Sequence, residues 1–122
     1  MQKRKKILVV DDTPGIVEIV KRGLEAKDYL VTTAFDGKEA YEKACHEQPD
    51  LIVSDILMPK MDGFELLGRL KADVRTSRIP VIMLTGKGET NAILLSQDLR
   101  ATDYVIKPFN VDELIEVVER HV

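Results

Sequence analysis

The chain has 122 residues, 44% of them apolar and 32% charged, with 18 basic against 21 acidic side chains and a net charge of −3. This describes one domain with an ordinary core and no basic excess to neutralise a nucleic-acid backbone, and no apolar run exceeds four residues where a bilayer span needs about 20. The single cysteine, Cys45, allows neither an internal disulfide nor a cysteine-built zinc site, so a soluble chain in a reducing, cytoplasmic setting is expected.

The basic start, Lys3-Arg4-Lys5-Lys6, runs into Ile7-Leu8-Val9-Val10 and stops at two aspartates, which is no signal peptide. Residues 6–11 read as a strand. Residues 14–27 read as a helix, with Pro14 in its first turn and a predicted inward stripe of Ile16, Ile19, Val20 and Leu24. Residues 30–34 form a second strand, more mixed in character and so expected at an edge. Asp36-Gly37-Lys38-Glu39 reads as a capping box that opens a helix over 37–47. Ala40, Tyr41, Ala44 and Cys45 are expected on its inner face, with Cys45 as a small core hydrophobe. A strand over 50–54, a helix over 63–73 and a strand over 80–84 follow. A fourth helix over 88–98 precedes a strand over 103–107. Asn110-Val111-Asp112-Glu113 then opens a last helix over 111–121, with Leu114, Ile115 and Val118 inward.

Ile7–Val10, Leu51–Val53 and Val81–Leu84 are continuously apolar, as strands covered on both faces must be. Five strand–helix units with a mixed second strand predict an α/β fold. It is a doubly wound five-stranded parallel sheet of flavodoxin-like order 2-1-3-4-5, with five helices. Such sheets bind ligands beyond the carboxyl ends of their strands, here between strands 1 and 3.

The residues at those ends are few. Strand 1 ends in Asp11-Asp12, strand 3 in Asp55, strand 4 in Leu84-Thr85-Gly86 and strand 5 in Lys107-Pro108. An aspartate after a strand is usually a cap or a turn former, and a Lys-Pro pair is usually a solvated turn. Caps alone do not require five polar groups at strands 1, 3, 4 and 5 and none at strand 2. Three crowded carboxylates repel one another, and a hard divalent cation relieves that. Oxygen ligation without His or Cys selects Mg²⁺ or Mn²⁺. The cation, an ammonium and a hydroxyl together cradle a phosphoryl group, and a neighbouring carboxylate can be its nucleophile.

At these residues the chain resembles the receiver domain of two-component response regulators, of the chemotaxis-regulator kind. The motifs are Val9-Val10-Asp11-Asp12, residues 50–59 from Asp50 to Pro59, Met61-Asp62-Gly63, residues 79–85 from Ile79 to Thr85, and residues 103–109 from Asp103 to Phe109. They span about residues 5–121, so residues 1–122 are taken as one receiver domain. The resemblance implies a signalling switch rather than an enzyme, one that catalyses only its own phosphotransfer and dephosphorylation. It implies Asp55 as phosphoacceptor. It implies Mg²⁺ held by Asp11, Asp12, Asp55 and the backbone carbonyl of Leu57. Thr85 would bond the phosphoryl group, Lys107 would pair with it, and Tyr104 would rotate inward on activation. Lys107–Pro108 would be a cis peptide. The implied partners are a sensor histidine kinase or histidine phosphotransfer protein, and a downstream output domain or target. No nucleic acid or membrane is contacted directly. The output surface is expected on the fourth helix, fifth strand and last helix, where Ile93, Leu94 and Leu95 sweep too wide an arc to be buried together; a dimer through that surface stays open. Three positions depart from the family pattern: Thr13, Val74, and Arg100 where a glycine is common.

An aspartate-nucleophile phosphatase is the alternative of another class. Such enzymes need a second acid two residues after the nucleophile, and that residue is Leu57. Gly86-Lys87-Gly88-Glu89-Thr90 is glycine-rich but matches no phosphate-loop pattern. Lys87, at the rim of the site, reads equally well as a solvated loop lysine and as a residue that modulates hydrolysis.

Overall fold

In Ile7-Leu8-Val9-Val10 every side chain is buried, yet successive side chains leave opposite faces of a strand. One short run therefore seeds two cores. In the computed structural model, which describes residues 4–56, 58, 61–86 and 101–122, that run is β1 (Lys6–Val10). The other strands are β2 (Leu30–Ala34), β3 (Leu51–Asp55), β4 (Val81–Gly86) and β5 (Asp103–Lys107). All pair in parallel, in the order β2-β1-β3-β4-β5.

Four helices occur among the described residues: α1 (Pro14–Glu25), α2 (Gly37–Glu47), α3 (Gly63–Ala72) and α4 (Val111–His121). The expected helix over 88–98, with Ile93, Leu94 and Leu95, lies outside the described residues, as do Lys87 and Arg100. One core packs Leu8, Val10, Ile52, Val81 and Met83 against α2 and α3. The other packs Ile7, Val9, Val53, Ile82 and Leu84 against α1 and α4. Leu67 of α3 is fully buried in the first, and truncating it to Ala would cost about 2–5 kcal/mol.

The local signals act as read. Asp36 caps α2 by accepting the Glu39 N–H at 2.8 Å, and the Glu39 carboxylate accepts the Phe35 N–H at 2.8 Å. Asn110 caps α4 in the same way, accepting the Glu113 N–H at 2.8 Å. Asp62 caps α3 through the Glu65 N–H at 2.9 Å. Strand β2 sits on an edge, as its mixed composition requires, with Leu30 exposed. The α1 stripe needs correction. Val17, Val20 and Leu24 are buried, whereas Ile19 is 59% exposed. The helix is rotated to put the i, i+3, i+7 row inward. The inner face of α2 is narrower than expected: Ala40 and Ala44 are buried, while Tyr41 and Cys45 are half-buried.

Those two side chains instead meet Asp73, just past the end of α3. The Tyr41 hydroxyl donates to Asp73 Oδ2 at 2.6 Å, and the Cys45 thiol lies 3.8 Å from the same oxygen. Arg75 grips the carboxylate with its backbone N–H (2.9 Å), Nε (3.1 Å) and a terminal guanidinium nitrogen (2.8 Å). Nearby, the fully buried Thr76 hydroxyl donates to the Leu70 carbonyl at 2.7 Å, satisfying a helix-end acceptor.

Candidate phosphoryl-transfer site

The parallel register lines up the strand ends. Val10 pairs with Ser54, Asp55 with Leu84, and Gly86 with Lys107. Asp11 therefore leaves β1 beside the last residues of β3, and Lys107 leaves β5 level with the end of β4. The sheet brings all five residues singled out in the sequence to one edge, where Asp11, Asp12 and Asp55 cluster and Lys107 reaches two of them.

Their environments differ. Asp11 and Thr85 are fully buried, Asp55 is 8% exposed, and Asp12 is exposed. Asp11 Oδ1 accepts the Thr13 N–H at 2.9 Å, which turns the chain into α1. Asp11 Oδ2 is buried with no hydrogen-bond partner, although the Lys107 ammonium lies 3.6 Å away. Asp55 Oδ1 accepts the Ile56 N–H at 2.8 Å and the Lys107 Nζ at 3.0 Å. Lys107 thus spans two carboxylates, a bridge the sequence did not reveal. The Lys107–Pro108 peptide is cis, in line with the resemblance.

Burial pushes the Asp55 carboxyl above the usual carboxylate range, and the charge of Asp11 adds to that push; Lys107 and the Ile56 N–H oppose it without cancelling it. Burial also pulls the Lys107 ammonium down, but its hydrogen bond to Asp55 and the charges of Asp55 and Asp11 outweigh this and leave it raised. The cluster holds more negative charge than its own cation neutralises.

Oxygens of Asp11, Asp12 and Asp55 lie within 4.8 Å of one another. The unpartnered Asp11 Oδ2 and the all-oxygen donor set fit a hard divalent cation such as Mg²⁺. Leu57, whose carbonyl the resemblance adds as a ligand, lies outside the described residues. Tyr104 is half-buried against the core of α2 and α3, with its N–H on Asp103 Oδ1 at 2.8 Å.

Gly63, quoted in the sequence only as part of a motif, packs directly against the backbone of the candidate site. A Cβ there would fall 2.3 Å from the Asp55 carbonyl oxygen and 2.8 Å from Ile56 Cα. Its N–H donates to the Ile56 carbonyl at 2.7 Å, closing the chain that leaves Asp55 back onto α3. The available signal was a glycine, a poor helix former, directly after the capping Asp62.

A family model described as response regulator receiver domain matches residues 7–119. The chain is 43% identical over 110 residues to the DNA-binding dual master transcriptional regulator RpaA of Synechocystis, covering 90% of this chain and 46% of that protein. It is 46% identical over 110 residues to the alkaline phosphatase synthesis transcriptional regulatory protein PhoP of Bacillus subtilis, covering 90% and 45%. The chain thus spans about half the length of these curated relatives. The solved structure of the chemotaxis response regulator CheY4 of Vibrio cholerae superposes with a TM-score of 0.92 at 33% identity, covering 98% of this chain and all of that one.

Proposed function

The chain belongs to the response regulator receiver domain family, the phosphorylation-dependent signalling module of two-component systems, and we propose that Asp55 is its phosphoacceptor. The observation that carries this is the Asp55 carboxylate itself. It stands at the end of a central strand, largely buried, with the Lys107 ammonium at 3.0 Å and the Asp11 carboxylate beside it. We take residues 1–122 as a single receiver domain, acting in the cytoplasm; no helix among the described residues is long and apolar enough to cross a membrane.

The phosphodonor is a phosphohistidine of a sensor kinase or phosphotransfer protein. An Asp55 oxygen attacks phosphorus as the P–N bond breaks; the bonding pair stays on the ring nitrogen, and the proton already carried by the other ring nitrogen of the phosphohistidine makes the leaving group neutral imidazole. Lys107 follows the charge onto the phosphoryl oxygens, and the Thr85 hydroxyl supplies a hydrogen bond to one of them. Asp11, Asp12 and Asp55, with the Leu57 carbonyl that the family resemblance adds, would hold Mg²⁺, which would supply positive charge to the phosphoryl group in transfer. The chain performs no other catalysis. The phosphatase alternative lacks its general acid, because position 57 is Leu.

The acyl phosphate then draws Thr85 inward, Tyr104 follows, and the surface of residues 88–98, β5 and α4 changes for an output domain or target. That surface is also where a dimer would form; nucleic acid is not contacted through this domain. Acetyl phosphate with Mg²⁺ should add one phosphoryl group by intact mass, and Asp55→Asn should take up none. Equal uptake by Asp55→Asn would overturn the assignment. With beryllofluoride and Mg²⁺, amide shifts should extend through residues 85–109. Shifts confined to the surroundings of Asp11, Asp12 and Asp55 would remove the switch.

A further inference from the structure

We infer that Gly37, at the start of α2 and outside the polar cluster, is a positioning residue of this site, because its bare Cα sets where the segment after Asp55 lies. The inference rests on Asp55 as the phosphoacceptor. A Cβ at Gly37 would fall 2.5 Å from the Met61 carbonyl oxygen, 2.8 Å from Met61 Cβ and 2.9 Å from its Cγ. Two of these atoms are fixed by the backbone and cannot swing away with a rotamer change. Any side chain at 37 must therefore displace α2 or Met61.

Helix α2 is the better held of the two. Asp36 accepts the Glu39 N–H, Glu39 accepts the Phe35 N–H, and Ala40 and Ala44 of the helix are buried. Met61 is 7% exposed and sits two residues before Gly63. The Gly63 N–H donates to the Ile56 carbonyl at 2.7 Å, and the Ile56 N–H donates to Asp55 Oδ1 at 2.8 Å. A push on Met61 therefore travels through Gly63 and Ile56 to the phosphoacceptor carboxylate.

Helix formation does not explain this glycine. Gly37 has no left-handed φ, the helix already has its cap, and glycine is a poor helix residue. Gly68 of α3 gives the contrast, since a Cβ there meets nothing within 4 Å. Replacing Gly68 by Ala should raise the melting temperature and leave the site alone.

The test titrates Mg²⁺ into the parent, Gly68→Ala, Gly37→Ala and the Gly37→Ala/Gly68→Ala double variant, with the Ile56 amide shift read first without metal. Parent and Gly68→Ala should share one Mg²⁺ affinity and one Ile56 shift. Gly37→Ala, alone or in the stabilised background, should move the Ile56 amide in the metal-free protein and weaken Mg²⁺ about ten-fold. Folded Gly37→Ala with parental affinity and an unmoved Ile56 amide overturns the inference and leaves Asp55 standing. A parent that binds no Mg²⁺ overturns the functional reading and the inference with it. If Gly37→Ala does not fold in either background, Met61→Ala decides, because it keeps the Met61 backbone and Cβ but removes the Cγ that packs on Gly37 and helps to hold this segment in place. Weakened Mg²⁺ binding supports the inference, and parental binding overturns it.

Discussion

Two aspartates show opposite ways of placing a carboxylate in this fold. Asp73 is saturated: Tyr41 and Arg75 supply four hydrogen bonds, and the Arg75 and Tyr41 hydrogen bonds hold its carboxyl well below the usual range. Asp55 is raised by burial despite Lys107, and the neighbouring Asp11 keeps a buried oxygen without a hydrogen bond. Asp73 has all the partners it can use and ties α2 to the end of α3. The Asp11–Asp55 pair keeps an unmatched buried oxygen, which fits the proposed cation and phosphoryl group. Buried charge left short of partners marks the working edge of the sheet, and charge fully matched marks a joint.

The largest test of this contrast is all-or-none. Asp55→Asn should abolish phosphoryl uptake from acetyl phosphate, whereas Asp73→Asn should leave it intact and lower the melting temperature. Loss of uptake in Asp73→Asn would break the contrast. Next, Gly63→Ala forces a methyl group into the Asp55 and Ile56 backbone and should cost about 2 kcal/mol or more in chemical denaturation, with phosphoryl uptake reduced even where the protein is folded. Close to neutral stability would show that the Asp55 backbone is not fixed by this contact.

A smaller effect separates the unsatisfied cluster from its metal. At ten times its dissociation constant, Mg²⁺ should stabilise the parent by ~1.4 kcal/mol. Asp12→Ala should lose that gain and, without Mg²⁺, be as stable as the parent or more so, because repulsion is relieved. A Mg²⁺ gain equal to the parent's would remove Asp12 from the ligand set. The smallest effect lies in the acid limb. A carboxyl lowered on folding contributes stability above its unfolded value of about 3.9, and that contribution is lost as pH falls through the lower folded value. Asp73→Asn should therefore flatten the fall of stability below about pH 4. An unchanged acid limb would mean that Asp73 is equally well partnered in the unfolded chain.

Most of the fold was legible because its signals are local. Apolar runs mark the five strands to within a residue or so, and Asp36 and Asn110 mark helix starts by their own chemistry. The placement of the candidate site was legible because strand order alone carries Asp11, Asp12, Asp55, Thr85 and Lys107 to one edge. What escaped depends on packing between distant segments. The rotation of α1 that exposes Ile19 is set by the sheet beneath it, not by its own periodicity. The Asp73 joint unites residues 41, 45, 73 and 75 across two helices. The close approaches at Gly37 and Gly63 involve backbone atoms that no side-chain pattern encodes. Asp11 is buried while Asp12 is exposed, a difference that two adjacent aspartates in a sequence do not announce.

Strand β5 lies at the margin of the described sheet, pairs among the described residues with β4 alone, and carries Lys107. A ribosome delivers Asp11, Asp12 and Asp55 well before residues 103–107. The growing chain can assemble β1, β2 and β3 while its three acids still lack the ammonium that will bridge two of them. Arrival of β5 adds the missing edge and the missing counter-charge in one event. Completion of the charged cluster is thereby tied to the last strand of this sheet, and a chain that has not reached residue 107 has the three acids without the lysine.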